Sequence, residues 1–255
     1  MKIVSFNINS IRARLENVLT WIKEANPDIV LLQELKCTNC QFPYAFFEDL
    51  GYNVAVHGQK SWNGVAILSK FSLEDVTYGL PNLEDIQSRY LEAFTGGVRV
   101  ASCYMPYGSP LGSPKYEYKI KWMKAMTEHF KTLQTYDEPV IVGGDYNVVP
   151  TNNDAKKPVY WFEKEPTTQP EIREIFFDWQ KMGWLDALRF LKPNEIYYTY
   201  WDYFRGAFEG DKGILLDFFF LNEKAKAMLK DGGIDKTPRA QSKPSDHTPI
   251  WIELE

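Results

Sequence analysis

Short apolar runs alternate with helical repeats along the whole chain. The opening KIVSFNIN alternates apolar and polar side chains, as a strand with one buried face does. DIVLLQE and PVIVGGDYN are almost continuously apolar and end in polar residues, a pattern typical of strands that are buried on both faces. YNVAVHG, GVAILSK, VRVASCYM, LLDFFFL and PIWIEL predict further strands in the same way.

Helices are predicted between these strands. An apolar repeat at helical spacing runs from Leu15 to Ile22 before NPD interrupts it. PYAFFEDLGY predicts a short helix, and residues 115–135 and 170–183 predict longer ones. Residues 150–170 are rich in Pro, Asn, Thr and Lys and predict a long surface loop that carries function.

The composition is that of a globular protein, with 44% hydrophobic and 25% charged residues. Because strands and helices are mixed without a repeat or a linker, we predict a single α/β domain over residues 1–255. The net charge of -5 argues against a general polyanion binder, whose signature is a basic surface. A DNA ligand would need a local basic face, for which Lys115, Lys119, Lys121 and Lys124 of one predicted helix are candidates.

Nothing in the chain predicts a membrane or secretory protein. Three cysteines, an odd number, form no secretory disulfide framework, and no apolar stretch is long enough to span a bilayer. The amino terminus opens directly as a strand and not as a signal sequence. We therefore predict a cytoplasmic protein without membrane contacts.

Several apolar strands end in polar side chains, which a protein core disfavours. One such residue is explained by a turn or by a strand that ends there. The same feature in strand after strand indicates a shared site, because binding sites of layered α/β proteins gather where strand ends meet loops. The residues concerned are Asn7, Asn9, Glu34, Tyr104, Asp145, Asn147, Asp217, Asp246 and His247.

Asp217 and His247 are the most informative of these residues. Asp217 stands between LL and FFF, so its carboxylate is either exposed on an edge strand or paired with a cation. His247 lies in SDHTPI before the last strand, either as a solvated turn residue or as part of an acid–base pair. The residues alone leave both alternatives open.

Carboxylates and amides dominate the polar set, which contains one histidine and no thiolate. Oxygen ligands suit Mg²⁺ or Mn²⁺ and do not suit zinc. Mg²⁺ held by one or two carboxylates is typical of enzymes that act on phosphates, and no Ser, Cys or Lys is placed as a covalent nucleophile. The predicted chemistry is therefore direct attack of water on a phosphoester.

Eight motifs follow one another in a familiar order: SFNIN, LLQELK, NGVAILSK, YMPYG, GGDYNVVP, YYTYWDY, LLDFFFLN and KPSDHTPI. Together they resemble the exonuclease III branch of the endonuclease/exonuclease/phosphatase superfamily over essentially the whole chain. The resemblance implies a four-layered α/β sandwich of two facing, mostly antiparallel sheets flanked by helices. It also implies a monomeric DNA repair nuclease that uses Mg²⁺ or Mn²⁺ on double-stranded DNA with abasic sites or 3′ ends.

The resemblance implies a role for each polar residue. Asp145 would orient or deprotonate the attacking water, and His247, fixed by Asp217, would donate to a phosphate oxygen. Tyr104 would stabilise charge at the scissile phosphate, and Asn7 and Asn147 would hold phosphate oxygens and Asp145. The metal ligands implied are Glu34 above all, with Asn7, Asp145, Asn147 and Asp246. The substrate-binding residues implied are Arg89, Lys36 and, around an apolar pocket for a base-free sugar or a terminal nucleotide, Tyr200, Trp201, Tyr203, Ile214 and Leu216.

Two other functions stay open. One is a small-molecule or lipid phosphoesterase of the same superfamily, and the other is a DNA-binding protein without catalysis. YMPYG, YYTYWDY and the basic helix favour DNA, and the complete polar set argues against a catalytically dead protein. Leu215 stands where many relatives carry a basic residue, so one phosphate contact is missing.

Overall fold

Two six-stranded β-sheets lie face to face in the computed structural model, which describes residues 1–255. The strands are β1 Lys2–Asn7, β2 Ile29–Gln33, β3 Asn53–His57, β4 Val65–Ser69, β5 Glu74–Tyr78, β6 Tyr90–Thr95, β7 Val98–Tyr104, β8 Val140–Asp145, β9 Leu185–Asp186, β10 Asp217–Leu221, β11 Leu229–Ile234 and β12 Ile250–Leu254. The helices are α1 Ile11–Ala25, α2 Tyr44–Glu48, α3 Pro114–Leu133, α4 Val159–Lys164, α5 Pro170–Lys181, α6 Ala187–Leu191 and α7 Glu223–Met228. None of these helices is both long enough and apolar enough to cross a membrane.

The strand order is β11–β12–β1–β2–β4–β3 in the first sheet and β5–β6–β7–β8–β10–β9 in the second. Each sheet has one parallel pair, β1 with β2 and β7 with β8, and its other pairs are antiparallel. Four strands, β5, β6, β9 and β11, have no counterpart in the sequence prediction. Three of them lie at sheet edges, and β6 carries Glu92 in its middle, so none shows an apolar run.

Alternating side chains on the strands build three apolar layers. In β2, Ile29 and Leu31 point between the two sheets, whereas Val30 and Leu32 face α1. On the outer face of the second sheet, large aromatic side chains pack between the strands, α3 and α5. Because both faces of the central strands are buried, their sequences are almost continuously apolar. The four-layered α/β sandwich is thereby confirmed.

Strand direction brings the polar strand ends to one end of the sandwich. β1 and β2 run parallel, so Asn7 lies beside the chain that leads to Glu34. β10 runs antiparallel to β8, and its first residue, Asp217, pairs with the last residue of β8, Asp145. β12 runs antiparallel to β1, so the segment that precedes it, including His247, reaches the same end.

Residues 150–170 are more ordered than the predicted loop. α4 lies within this range, and short 3-10 turns, Asn152–Asp154 and Pro166–Thr168, flank it.

β10 begins later than LLDFFFL predicts, because the residues before Asp217 leave the ladder of hydrogen bonds between the strands. They form isolated bridges instead, in which Ile214 pairs with Ala155 and with Tyr200.

Candidate active site

A cavity of about 380 Å³ opens where the polar strand ends converge. Polar side chains line one part of its wall, and apolar side chains line the other part. Of the residues that the sequence singled out, it contains Glu34, Tyr104, Asp145, Asn147, Tyr200, Ile214, Leu216, Asp246 and His247. The strand topology therefore gathers most of the expected set around one space.

Asn7 holds two carboxylates together at the floor of the site. Its Nδ2 donates to Glu34 Oε1 and to Asp145 Oδ2, each at 2.9 Å. Its Oδ1 accepts the backbone N–H of Asn9 at 3.1 Å. Both hydrogens of the Asn7 amide are therefore used within the protein. The expectation that Asn7 also donates to a phosphate oxygen does not fit this arrangement, although its contact with Asp145 does.

His247 and Asp217 form a buried pair. His247 Nδ1 lies 2.8 Å from Asp217 Oδ2, and both residues are almost completely buried. The other ring nitrogen, Nε2, lies 3.6 Å from Asp145 Oδ2 and 3.4 Å from Asn7 Nδ2. Since Asn7 Nδ2 is itself a donor, a protonated His247 has no well-placed acceptor on this side within the protein. Its free N–H is available to a ligand in the cavity.

Burial and neighbouring charges both shift the pKa values of this cluster. Burial by itself would lower the pKa of His247, but the carboxylates of Asp217 and Asp145 outweigh it and raise that pKa to about 10. Burial raises the pKa of Asp145 to about 7, with Asp217 and Glu34 adding to the rise and His247 opposing it. These shifts favour a protonated His247 beside an Asp145 carboxylate that can accept a proton.

Glu34 is held ionised at the end of its strand. Burial would raise its pKa, but the neighbouring Lys36 and the Asn7 amide outweigh burial and lower it. Lys36 Nζ lies 2.9 Å from Glu34 Oε2 and donates to Asn9 Oδ1 at 2.5 Å. Glu34 and Lys36 both have positive φ angles, 55° and 53°, a left-handed conformation that is strained for a non-glycine residue. This strained turn aims the carboxylate at the cavity.

Ligand atoms of Glu34, Asp145 and His247 all lie within 4.8 Å of one another. Two anionic oxygens share one amide group here, and such crowded negative charge favours a cation. The carboxylate oxygens fit a hard divalent ion better than a soft one. Asp246 lines the cavity but lies outside this group of three, and its Oδ1 accepts a hydrogen bond from Asn9 at 3.0 Å.

Tyr104 and Asn147 line the cavity from the second sheet. Burial raises the pKa of Tyr104 well above its ordinary value, so its hydroxyl stays protonated. Arg89 does not line the cavity: its guanidinium lies over the Tyr104 ring at 4.9 Å. The backbone N–H of Asn147 donates to Asp145 Oδ1 at 2.9 Å, and its side chain donates to the Met105 carbonyl. Asn147 therefore fixes the second oxygen of Asp145.

The apolar half of the cavity is formed by Tyr200, Ile214 and Leu216. The Tyr200 ring meets the His247 ring edge-on, with centroids 5.1 Å apart. Trp201 was expected in this pocket, but its side chain is fully buried behind the wall and donates to Asp211 at 3.2 Å. Because neighbouring residues in an extended segment point to opposite sides, Tyr200 and Trp201 cannot both face the cavity.

Tyr203 is likewise outside the cavity. Its hydroxyl accepts hydrogen bonds from Asn9 and Arg14 and donates to the Pro244 carbonyl. It therefore ties the segment around residue 203 to the loop after β1.

Several cavity residues were missed by the sequence analysis. They are Tyr107, Lys157, Trp161, Glu165, Thr167 and Asp202. Four of them lie in the segment 150–170, which the sequence marked only as a functional loop. The signal that could have found Trp161 was the aromatic run VYWF within an otherwise polar segment. Glu165 adds a carboxyl to the cavity wall, and burial raises its pKa.

Lys119 does not belong to a DNA-facing surface. It is fully buried, and its Nζ donates to the carbonyls of Pro106 at 2.8 Å and Asn147 at 2.7 Å. Burial lowers its pKa to about 7. Lys119 thus bridges the two loops that follow β7 and β8 and supports the site from behind. Of the other candidates, Lys115, Lys121 and Lys124 are exposed.

The profile of the Endonuclease/Exonuclease/phosphatase family matches residues 4–247. Exodeoxyribonuclease III of Haemophilus influenzae is 32% identical over 266 aligned residues, which cover 100% of this chain and 100% of that protein. The motif resemblance to the exonuclease III branch is therefore confirmed.

Solved structures agree with this result. The 3′ phosphatase NExo from Neisseria, bound to a product DNA hairpin, is 36% identical with a TM-score of 0.95, covering 100% of this chain and 99% of that one. An AP endonuclease from Archaeoglobus fulgidus is also 36% identical, with a TM-score of 0.94 and coverage of 100% and 99%. The whole architecture is thus similar to that of DNA repair nucleases.

Proposed function

Because this chain belongs to the Endonuclease/Exonuclease/phosphatase family, we propose that it is a DNA repair nuclease that hydrolyses phosphodiester bonds in duplex DNA. The relatives are named for exonuclease, 3′ phosphatase and AP endonuclease activities. The substrates proposed for this chain are accordingly 3′ ends and abasic sites of double-stranded DNA.

One observation carries the proposal: the imidazole of His247, paired with Asp217, and the carboxylates of Asp145 and Glu34 meet on the wall of one cavity that is large enough for a phosphate group. His247 Nε2 lies 3.6 Å from Asp145 Oδ2, and Glu34 stands within 4.8 Å of both. Hydrolysis of a phosphodiester requires hydrogen-bond donors for the negative phosphate oxygens. It also requires a base for the attacking water. The cluster supplies both kinds of group in one place.

The proposed roles follow from the contacts. Asp145, anchored through the Asn147 backbone, accepts the proton of the attacking water. His247, held by Asp217 and kept protonated, donates to a phosphate oxygen as negative charge grows in the transition state. Tyr104 adds a hydroxyl donor from the neighbouring strand. Since these groups are fixed before substrate arrives, little reorganisation is needed during the reaction.

The proposed metal ligands are the carboxylates of Glu34 and Asp145. The Asn7 amide donates a hydrogen bond to each and so keeps the two carboxylates next to each other. Mg²⁺ or Mn²⁺ is proposed because the donors are oxygens. When bound, such an ion would supply positive charge that stabilises the ionised carboxylates and attracts phosphate oxygens. Asn147 and Asp246 remain proposed contributors from the cavity wall.

The apolar half of the cavity favours a nucleotide without a base, or a terminal one, as the group that enters. Tyr200, Ile214 and Leu216 present rings and methyl groups, and a base-free sugar offers few hydrogen-bonding groups. A small-molecule or lipid phosphoesterase remains the alternative within the family. No contact in the cavity specifically favours it.

The test is cleavage of a fluorescent duplex that contains one abasic site, and of the same duplex with a recessed 3′ end. We expect product with Mg²⁺ or Mn²⁺ and none with EDTA. The Asp145→Asn variant, purified identically, controls for a contaminating nuclease. Full cleavage in EDTA, or hydrolysis of inositol phosphates or sphingomyelin in preference to DNA, would refute the proposal.

A further inference from the structure

The wall of the catalytic cavity contains two polar atoms that the proposed chemistry leaves unused. Glu165 and Thr167 both line the cavity, and neither Glu165 Oε1 nor Thr167 Oγ1 has a hydrogen-bond partner in the protein. Thr167 is only 2% exposed, so its hydroxyl is shielded from bulk solvent. Because a buried polar group without a partner is destabilising, two of them in one wall indicate that a ligand supplies the missing partner.

The backbone that carries these two side chains is well anchored. The Glu165 carbonyl accepts hydrogen bonds from Thr168 Oγ1 and Gln169 Nε2, each at 2.8 Å. The Thr167 carbonyl accepts the backbone N–H of Val149, also at 2.8 Å. The carboxyl of Glu165 and the hydroxyl of Thr167 are therefore presented to the cavity by a segment whose position is fixed before a substrate binds.

Tyr107 brings a hydroxyl to the same wall from the loop after β7. Burial and the neighbouring Glu165 carboxyl raise the pKa of Tyr107, so the hydroxyl keeps its proton at neutral pH. Tyr200 and Asp145 add to this rise, which places the Tyr107 hydroxyl near both the apolar wall and the acid–base cluster. A sugar that packs on Tyr200, with its phosphate beside Asp145, therefore lies next to Tyr107 and Glu165.

Carboxyls outnumber cations in the cavity. Its basic side chains are His247 and Lys157, whereas its wall contains five carboxyls, those of Glu34, Asp145, Glu165, Asp202 and Asp246. His247 and the proposed metal ion suffice to bind one phosphate. A second phosphate close to Glu165 would meet a carboxylate, and like charges at close range are unfavourable. A neutral hydroxyl at the same place would instead donate a hydrogen bond to that carboxylate.

We propose that Glu165 selects a 3′-terminal nucleotide, because it accepts a hydrogen bond from the free 3′ hydroxyl and repels the phosphate that follows an internal nucleotide. Thr167 offers a second hydrogen-bonding group beside the same hydroxyl. The inference rests on the proposed nuclease function, and it states which of the two proposed substrates the cavity prefers. The chain thus acts on 3′ ends in preference to internal abasic sites.

The test compares two duplexes that contain the same base-free sugar analogue, tetrahydrofuran, with the same phosphate on its 5′ side. In the terminal duplex the analogue ends its strand and has a free 3′ hydroxyl. In the internal duplex the strand continues, so a phosphodiester replaces that hydroxyl. Cleavage of the 5′ phosphodiester with Mg²⁺ gives kcat/KM for each duplex. We expect the unchanged chain to prefer the terminal duplex by roughly tenfold or more.

Two variants separate charge from hydrogen bonding at Glu165. Glu165→Gln keeps an acceptor but removes the charge, so we expect kcat/KM to rise about tenfold on the internal duplex and to change less than about threefold on the terminal one. Glu165→Ala also removes the acceptor, so kcat/KM on the terminal duplex should fall about tenfold. The matched control is Glu163→Gln, because Glu163 is exposed and lies outside the cavity. It should keep the preference of the unchanged chain, and thermal unfolding checks that each variant is folded.

The same preference in the unchanged chain and in Glu165→Gln would overturn the inference, as would equal losses on the two duplexes. Equilibrium binding of both duplexes in EDTA distinguishes this result from failure of the nuclease function. Tighter binding of the terminal duplex that is lost in Glu165→Gln, without cleavage of either duplex in Mg²⁺, would refute the nuclease and leave the selection standing. Cleavage of both duplexes with a preference that does not depend on Glu165 would do the reverse.

Discussion

The chain contains two buried carboxylate–histidine pairs with the same spacing. His247 Nδ1 lies 2.8 Å from Asp217 Oδ2 at the cavity, and His129 Nε2 lies 2.8 Å from Glu92 Oε2 beneath α3. All four side chains are almost fully buried. Burial and distance therefore do not distinguish the two pairs, and the difference lies in what surrounds them.

The carboxylate of the Glu92 pair is saturated with hydrogen-bond partners. Glu92 Oε2 also accepts the Tyr90 hydroxyl at 2.6 Å, and Glu92 Oε1 accepts Arg99 at 3.1 Å. Arg99 in turn bonds Glu138. Both oxygens of the carboxylate have protein partners, and Glu92 does not line the catalytic cavity. Such a network stabilises and orients the elements that it joins, here β6, β7 and α3.

The Asp217 pair is left incomplete. Asp217 Oδ1 has no hydrogen-bond partner, and His247 Nε2 faces a donor and a carboxylate that lies too far away for a good bond. The pair also borders the cavity through His247. The unused N–H of His247 lies next to the cavity and is available to substrate. The comparison teaches that the number of unused hydrogen-bonding groups, more than burial, distinguishes a reactive ion pair from a structural one.

The largest expected effect is at the acid that faces the incomplete pair. Asp145→Asn removes the proposed base, so we expect the single-turnover cleavage rate to fall roughly a thousandfold. DNA affinity should stay within a few-fold, since the cations are untouched. Quenched-flow cleavage and fluorescence anisotropy measure the two quantities. A rate within about tenfold of the unchanged chain would show that Asp145 is not the base.

The two members of the incomplete pair should behave as one unit. We expect His247→Asn and Asp217→Asn each to lower the single-turnover rate by roughly a hundredfold or more. The double variant should be about as slow as the slower single one, because residues that act together lose their effect at the first change. Additive losses would mean that Asp217 does not act through His247.

The saturated pair should affect stability and leave catalysis unchanged. Glu92→Gln deprives His129 and Arg99 of a charged acceptor, so we expect the free energy of unfolding to fall by roughly 1–3 kcal/mol. Urea denaturation followed by tryptophan fluorescence measures this loss. The cleavage rate per folded molecule should not change. A rate loss that is larger than the loss of folded protein would erase the distinction between the two pairs.

The smallest expected effect is a pH dependence of stability at the same residue. Burial would raise the pKa of Glu92, but hydrogen bonds from His129 and Tyr90 and the charge of Arg99 outweigh it and lower the pKa below its ordinary value of 4.5. A lowered pKa contributes stability above 4.5 and loses it as pH falls through the folded-state pKa.

We therefore expect the unchanged chain to lose roughly 1 kcal/mol more stability than Glu92→Gln as pH falls below about 4.5. Denaturation midpoints at pH values on either side of that point measure the difference. Parallel pH profiles in the two proteins would show that Glu92 keeps its ordinary pKa.

Much of the fold could be predicted from apolar patterning. Strands such as IVLLQ and DFFFL are buried on both faces, so their sequences are continuous apolar runs that no loop would carry. The edge strands EDVTY and LKDGGI could not be found this way, because one or both of their faces meet solvent. Their place depends on hydrogen bonds to neighbouring strands, which sequence patterning does not record.

The site was predicted less completely than the fold. The motifs indicated Glu34, Asp145 and His247, and the structure places them within one small space. The burial of Lys119 and of Trp201 went against the sequence interpretation. A lysine on a helix is ordinarily exposed, and only the close approach of two loop carbonyls above α3 makes its burial possible here.

The sequence by itself determined which residues can do chemistry. A carboxylate at the end of an apolar strand lies next to the core, which is costly in any fold unless the carboxylate is paired or has a function. The residues alone did not determine which of them meet, although the family resemblance already implied that Asp217 fixes His247. Asp246 adjoins His247 in the chain, yet the imidazole bonds Asp217, thirty residues away. That choice is made by strand direction: β10 and β12 run opposite to β8 and β1, so their first residues arrive where the others end. Partner choice between distant residues is a property of sheet topology, which only the tertiary structure decides.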